Sequence, residues 1–120
     1  MEVLVTSGAG LVGSHIVDTL IAEGHTAAMV DDLSCGTRAN LLAQVKLHGR
    51  DITGPDLEEV FTGHQYDPLI HCAAAVSVIR SMHDLDFDRR VNLEGTVAVL
   101  DMCPSHGCPK LIFLSSGGAI

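Results

Sequence analysis

The run Val3-Leu4-Val5-Thr6-Ser7-Gly8-Ala9-Gly10-Leu11-Val12-Gly13 carries a short β-branched stretch into a glycine-rich turn and then into residues at helical spacing. Val3–Thr6 reads as a buried strand, because it is apolar, short and stopped by glycine. Leu11, His15, Leu20 and Ile21, with Val12 and Ile16 beside them, mark a helix that Gly24 stops. Gly8, Gly10 and Gly13 fit G-x-G-x-x-G between that strand and that helix. Glycine in such a turn lets the backbone approach a pyrophosphate, and the helix N-terminus offers unpaired N–H groups and partial positive charge. Gly13 has no side chain, so helix and sheet can pack closely.

The next segment sharpens this reading. Thr26–Asp31 reads as a second strand ending in Asp31-Asp32, about 20 residues after the glycines, the spacing at which an acid meets a ribose. A carboxylate there accepts hydrogen bonds from the adenosine ribose hydroxyls and repels a 2′-phosphate, so Asp31 points to NAD rather than NADP.

Farther along, apolar runs and helical periods keep alternating. Ser34-Cys35-Gly36-Thr37 is a loop and Arg38–Ala43 a short helix. Val45–His48 is a weak third strand. Gly54-Pro55 opens a helix to about Phe61, with Asp56, Glu58 and Glu59 at its positive end. Leu69–Ala74 is a fourth strand, Asp86–Met102 a long helix with Val91, Gly95, Val99 and Met102 near one stripe, and Lys110–Ser115 a fifth strand. Such alternation predicts an α/β fold, a doubly wound parallel sheet with helices on both faces. The strands are continuously apolar, as parallel strands covered on both faces should be.

Composition narrows the partners. The chain has 120 residues, enough for one domain, with 47% apolar and 18% charged residues. Its net charge of −8 argues against nucleic acid, which needs clustered Lys and Arg. No apolar run approaches the roughly 18 residues of a membrane span, and Met1-Glu2-Val3-Leu4-Val5 lacks the basic start of a signal peptide. A cytoplasmic location is therefore expected. Cys35, Cys72, Cys103 and Cys108 are expected as free thiols, and the spacing of Cys103, His106 and Cys108 matches no common zinc pattern. No metal site is expected, and Asp84, Asp86 and Asp88 read as a solvated helix start.

Taken together, Thr6–Gly13 with Ser14-His15, Val30-Asp31-Asp32-Leu33-Ser34 with Gly36 and Asn40-Leu41, Asp51-Ile52, His71-Cys72-Ala73-Ala74, Val91-Asn92-Leu93-Glu94-Gly95-Thr96 and Phe113-Leu114-Ser115-Ser116-Gly117-Gly118-Ala119-Ile120 resemble the extended short-chain dehydrogenase/reductases. The branch they resemble is that of NAD-dependent nucleotide-sugar epimerases and dehydratases, of the UDP-glucose 4-epimerase type. The resemblance covers essentially the whole chain. It implies a Rossmann-type sheet that stops after its fifth strand, the N-terminal portion of an NAD(P)-binding domain spanning residues 1–120.

What the resemblance implies can be assigned position by position. Gly8, Gly10 and Gly13 would hold the pyrophosphate, with Leu11 and Val12 at the family's usual aromatic-plus-Ile pair. Asp31 would bind the adenosine ribose, with Asp32 and Ser34 nearby. Asp51 and Ile52 would flank the adenine, Ala73 and Ala74 would line the cofactor, and Asn92 would lie in the helix backing the site. Ser115 would stand beside the nicotinamide, and Ser116 would hydrogen-bond the substrate hydroxyl being oxidised. In the family a tyrosine takes the proton from a sugar hydroxyl while hydride passes transiently to NAD, and a lysine four residues later lowers the tyrosine pKa. The substrate implied is a nucleotide sugar, a UDP-sugar first of all, and the full-length form is expected to be a homodimer.

Departures from the family pattern also carry expectations. Ser7 stands where the family's first glycine usually does, Ala75 replaces a residue that is often polar, and Pro104 interrupts what is usually helix. Y-x-x-x-K is missing: the single tyrosine is Tyr66, Ile70 stands four residues after it, and the lysines are Lys46 and Lys110. The 120 residues alone are therefore expected to be inactive. Two rival readings remain, a dinucleotide-binding module without chemistry and a reductase of the same family acting on a non-sugar carbonyl.

Overall fold

The structure, a computed structural model, describes residues 1–116, with the side chain of Asn40 excepted. Gly117-Gly118-Ala119-Ile120 of the terminal motif lie outside the described residues.

Five parallel strands form one sheet in the order β3-β2-β1-β4-β5. The central strand β1 (Glu2–Thr6) pairs on one side with β2 (Thr26–Val30), Val5 opposite Met29, and on the other with β4 (Leu69–His71), Val5 opposite Ile70. Outside them lie β3 (Lys46–His48), paired with β2, and β5 (Leu111–Phe113), paired with β4. The strand order reverses at β1, because the chain builds outward through β2 and β3 and then returns to place β4 on the other side. This is the doubly wound Rossmann arrangement, and the crevice beyond the C-terminal ends of β1 and β4 is its switch point.

Alternation along the strands divides the core between two faces. Val3, Val5, Ala27 and Met29 pack with Val17 of α1 (Leu11–Ala22). Leu4, Ala28, Val30 and Leu69 pack on the other face with Val60 and Phe61 of α2 (Leu57–Phe61) and with Val99 and Cys103 of a later helix. Val3, Leu4, Val5 and Met29 have no exposed surface, so β1 is covered from both sides as its unbroken apolar run required.

The stretch after β4 departs most from expectation. Helix α3 (Val78–His83) was not legible from apolar spacing. It is started by Ser77, whose hydroxyl accepts from the N–H of Arg80 at 3.2 Å. Next, Asp84 caps α4 (Leu85–Arg89), accepting from the N–H of Phe87 at 3.0 Å. The helix then continues as a π-helical segment, Arg90–Gly95, and as α5 (Thr96–Ser105). The expected rod over Asp86–Met102 is thus continuous but longer at both ends and wider in its middle. Pro104 does not interrupt it: the proline sits in the last turn of α5. Gly95 faces Ile52, and a Cβ there would lie 2.7 Å from Ile52 Cδ1, so this glycine admits the loop after β3 against the helix. Arg38–Asn40 is a single 3-10 turn rather than a helix reaching Ala43.

Strand β4 ends at His71 rather than Ala74. The reason is visible in the backbone: the N–H groups of Cys72 and Ala73 both turn to Thr6 Oγ1, at 2.9 and 3.0 Å. A buried hydroxyl at the end of β1 thus draws the chain out of the sheet where a site needs a loop.

Candidate cofactor-binding site

A cleft of about 250 Å³ opens at the switch point. Ser7, Asp31 with Asp32 and Ser34, Asp51 with Ile52, and Ala73 with Ala74 line it, each group from the loop after a different strand. The sequence reading therefore brought distant residues to one place. Gly8, Gly10 and Gly13 do not themselves line the cleft; they keep the turn beside it tight by what they lack. A Cβ on Gly13 would collide with the carbonyl oxygen of Ser7 and lie 2.9 Å from Gly8 Cα. Met29 blocks a side chain at Gly8 in the same way.

Helix α1 begins at Gly10, which offers no side-chain cap, and its first turn carries no acidic residue. Its first N–H groups are therefore without a built-in anion. That donor set, with a turn too tight for side chains, fits a pyrophosphate. Leu11 and Val12 follow at the start of α1 but are 76% and 55% exposed. With His15, Ile16, Thr19 and Leu20 they border a shallow apolar groove along the outside of α1, away from the cleft.

Asp31 is the most constrained acid of the site. It is buried, its Oδ2 accepts from the N–H of Ala9 at 3.0 Å, and its Oδ1 accepts from the N–H of Leu33 at 2.7 Å. Each carboxylate oxygen retains a further lone pair for a ribose hydroxyl. Asp32 uses Oδ1 for the N–H of Ser34 at 2.9 Å. Asp51 uses Oδ1 for the N–H and the hydroxyl of Thr53, at 2.8 and 2.7 Å. All three acids thus shape their own loops and keep acceptor capacity toward the cleft.

The wall after β4 is held from the helix. Asn92, in the π-helical segment, accepts from the N–H of Ala75 at 2.8 Å and donates to the carbonyl of Ala75 at 3.1 Å. It grips the loop carrying Ala73 and Ala74 rather than lining the cleft. Beneath that loop lies an ordered chain of donors. Thr6 Oγ1 already receives two backbone N–H groups, so its proton goes to His71 Nδ1 at 2.8 Å. His71 then donates from Nε2 to Thr96 Oγ1 at 3.0 Å, and Thr96 donates to the carbonyl of Asn92 at 2.8 Å. Burial pushes the His71 pKa down, which favours the neutral ring this chain needs.

Several cleft residues escaped the sequence reading: Arg50, Ser77, Arg80, Ser81, Phe87 and Arg90. The guanidinium of Arg80 lies 3.5 Å over the ring of Phe87, so α3 and α4 are clamped together beside the cleft. The cap Ser77 was the available signal for α3, whereas Asp84, Asp86 and Asp88 already mark the start of α4 in the sequence. Ser115 and Ser116 follow β5 and are exposed. Tyr66 is buried and donates to the carbonyl of Val60 at 3.0 Å, a core contact far in function from a proton-transferring tyrosine. Among the described residues, no helix is long and apolar enough to cross a membrane.

Comparison with known proteins agrees with this fold. The UDP-glucose 4-epimerase of Mycolicibacterium smegmatis is 37% identical over 125 residues, covering 100% of this chain and 40% of the relative. The structure of a UDP-glucose 4-epimerase from Thermotoga maritima with UDP-glucose superimposes with a TM-score of 0.95 at 37% identity, over 100% of this chain and 39% of that one. A Thermus thermophilus UDP-glucose 4-epimerase in complex with NAD gives a TM-score of 0.94 at 39% identity, over 98% of this chain and 38% of that one. The chain thus spans well under half the length of these relatives. The description of NAD dependent epimerase/dehydratases matches residues 3–120, and the chain belongs to that family.

Proposed function

We propose that residues 1–120 are the N-terminal, cofactor-binding portion of a nucleotide-sugar 4-epimerase that uses NAD and a UDP-sugar. The observation that carries this reading is the bond between Asp31 and Ala9, which joins the acid for the ribose to the turn for the pyrophosphate. The glycine turn and the start of α1 receive the pyrophosphate. Asp31, with Asp32 and Ser34 beside it, accepts from the adenosine ribose. Asp51 accepts from the adenine amino group while Ile52 packs on the ring, and Ala73 and Ala74 leave room for the dinucleotide. Ser115 stands by the nicotinamide, and Ser116 orients the substrate hydroxyl. Bound NAD supplies a hydride acceptor that no side chain can replace.

The group that takes the hydroxyl proton is not among these residues, since Y-x-x-x-K is absent from the 120. The same reading places the full-length protein in the cytoplasm as a homodimer. Leu93, Val97 and Leu100 support the pairing: they are 59%, 46% and 46% exposed along one flank of the helix that carries Asn92.

Calorimetric titration of the purified chain with NAD, followed by an epimerase assay with UDP-glucose, tests the proposal. Saturable 1:1 binding without turnover is expected. Failure to bind NAD would overturn the cofactor reading, and clear turnover would overturn the incomplete active site.

A further inference from the structure

Helix α5 ends in a turn whose partners are both cysteines. Gly107 takes a φ of +69°, its N–H points to the carbonyl of Pro104 at 3.4 Å, and the N–H of Cys108 donates to the carbonyl of Cys103 at 2.8 Å. This is the Schellman pattern, in which a 6→1 bond closes the helix and the residues at its two ends usually share an apolar contact. Here both of those positions are cysteines, and their side chains enter the same core cluster. Both cysteines are 5% exposed and belong to the core on the α5 face. Cys108 is held a second time, its thiol donating to the carbonyl of Lys110 at 3.5 Å. A disulfide needs its Cα atoms about 4.4–6.8 Å apart with converging side chains. The 2.8 Å bond from the N–H of Cys108 to the carbonyl of Cys103 keeps their Cα atoms within that upper limit, and both side chains are buried in one core cluster. Cys35 and Cys72 lie on other loops.

We propose that Cys103 and Cys108 form a reversible redox pair, closing as a disulfide across the end of α5 in the presence of a low-molecular-weight disulfide oxidant. Burial, and next the neighbouring Cys108, push the Cys103 thiol up to about 12, so Cys103 is the poorer first nucleophile. Cys108 therefore attacks the oxidant, forming a mixed disulfide and releasing one small thiol. Cys103 then attacks the protein sulfur of that mixed disulfide and releases the second. Two protein thiols are oxidised, one small disulfide is reduced to two thiols, and the two thiol protons leave with them. The closed form fixes the turn that leads from α5 into β5, the strand that precedes Ser115 and Ser116. Closing needs the turn to open locally, so it is slow compared with the reaction of an exposed thiol.

Equilibration of the purified protein with oxidised glutathione, followed by acid quench, tryptic digestion and mass spectrometry, tests the pair. Cleavage after Arg90 and Lys110 isolates residues 91–110, in which Cys103 and Cys108 are the only cysteines. That peptide is expected to lose two hydrogens without gaining glutathione, and to regain them in dithiothreitol. The fraction closed is expected to fall at least about tenfold in effective equilibrium constant when the same mixture contains denaturing urea, because folding holds the sulfurs together. Cys103→Ser is expected to trap Cys108 as a glutathione adduct. Free thiols at full equilibration, stable glutathione adducts on the unmutated peptide, or equal closure in urea would each overturn the proposal.

Discussion

The backbone N–H of Ala9 donates to Oδ2 of Asp31 across 3.0 Å, so the glycine turn after β1 and the acid after β2 are one hydrogen-bonded unit. Gly36 adds to this junction. A Cβ there would lie 2.6 Å from the carbonyl carbon and oxygen of Ala9, so the loop after β2 packs directly on the turn. The acid therefore has two tasks, to accept from a ribose and to hold the phosphate turn in shape.

Asp31→Asn separates these tasks poorly, and that is its use. The amide presents one acceptor oxygen where Asp31 uses two. One backbone N–H is left facing an NH2 group in a buried place, which costs about 1–3 kcal/mol. Urea denaturation is expected to register that loss even without cofactor. Calorimetry is expected to find NAD binding at least about tenfold weaker, since 1.4 kcal/mol is a factor of ten. A variant of unchanged stability would show that the bond to Ala9 carries no weight.

Ser7 sits at a φ of +56°, in the left-handed region that costs an L-residue about 1–2 kcal/mol. Ser7→Gly removes that cost and adds about 0.5–1 kcal/mol of unfolded-chain entropy in the opposite direction. A net gain of about 0.5–1 kcal/mol is expected in chemical denaturation. Gly13→Ala should do the reverse, losing more than about 2 kcal/mol because its methyl meets the Ser7 carbonyl. The pair of variants, measured side by side, tells a strained serine from one that the turn has accommodated.

These positions also mark what could be read without coordinates. The turn was legible because Gly8, Gly10 and Gly13 stand at that spacing between a strand pattern and a helix pattern, a context that the spacing alone does not supply. Asp31 was legible because its distance from that turn is set by one helix and one strand. The end of β4 was not, because Leu69–Ala74 is apolar throughout and the signal that stops it, Thr6, lies 66 and 67 residues away from its partners Cys72 and Ala73. Helix α3 was hidden for a different reason. Val76, Val78, Ile79 and Met82 are all more than 70% exposed, so their apolar pattern does not mark a buried face. The cap at Ser77 carried the information instead.

His71 gives the fold a pH dependence of defined sign. Burial lowers its pKa from the ordinary 6.5, so the unfolded chain binds the proton more readily than the folded one. Stability is then full above about pH 6.5 and falls as pH drops below it, by up to about 1.4 kcal/mol per unit for one such group. His48, also lowered by burial and by Lys46, adds a slope of the same sign. Urea midpoints between pH 7 and 5 are expected to fall in the natural sequence and to fall less steeply in His71→Asn. Equal slopes would mean that the chain from Thr6 to Thr96 tolerates a charged ring.

Asn92 is where helix and cofactor loop meet, and its side chain is the one that a conservative change distinguishes. Its amide donates to the carbonyl of Ala75 and to Asp88 Oδ1 at 2.9 Å, while its oxygen accepts from the N–H of Ala75. Asn92→Asp keeps the acceptor but turns both donor contacts into oppositions of acceptors, one of them against a carboxylate. Asn92→Ala removes all three contacts and leaves the Ala75 backbone groups to water, since Ala75 is only half-buried and its bonds to Asn92 lie at the surface. Asn92→Asp is therefore expected to destabilise the protein more than Asn92→Ala, by about 1 kcal/mol, because repulsion is added to loss. Both should weaken NAD binding, as the loop carrying Ala73 and Ala74 loses its tether. The order of the two variants in urea denaturation decides whether Asn92 works by its donors: the reverse order would assign the tether to the acceptor oxygen alone.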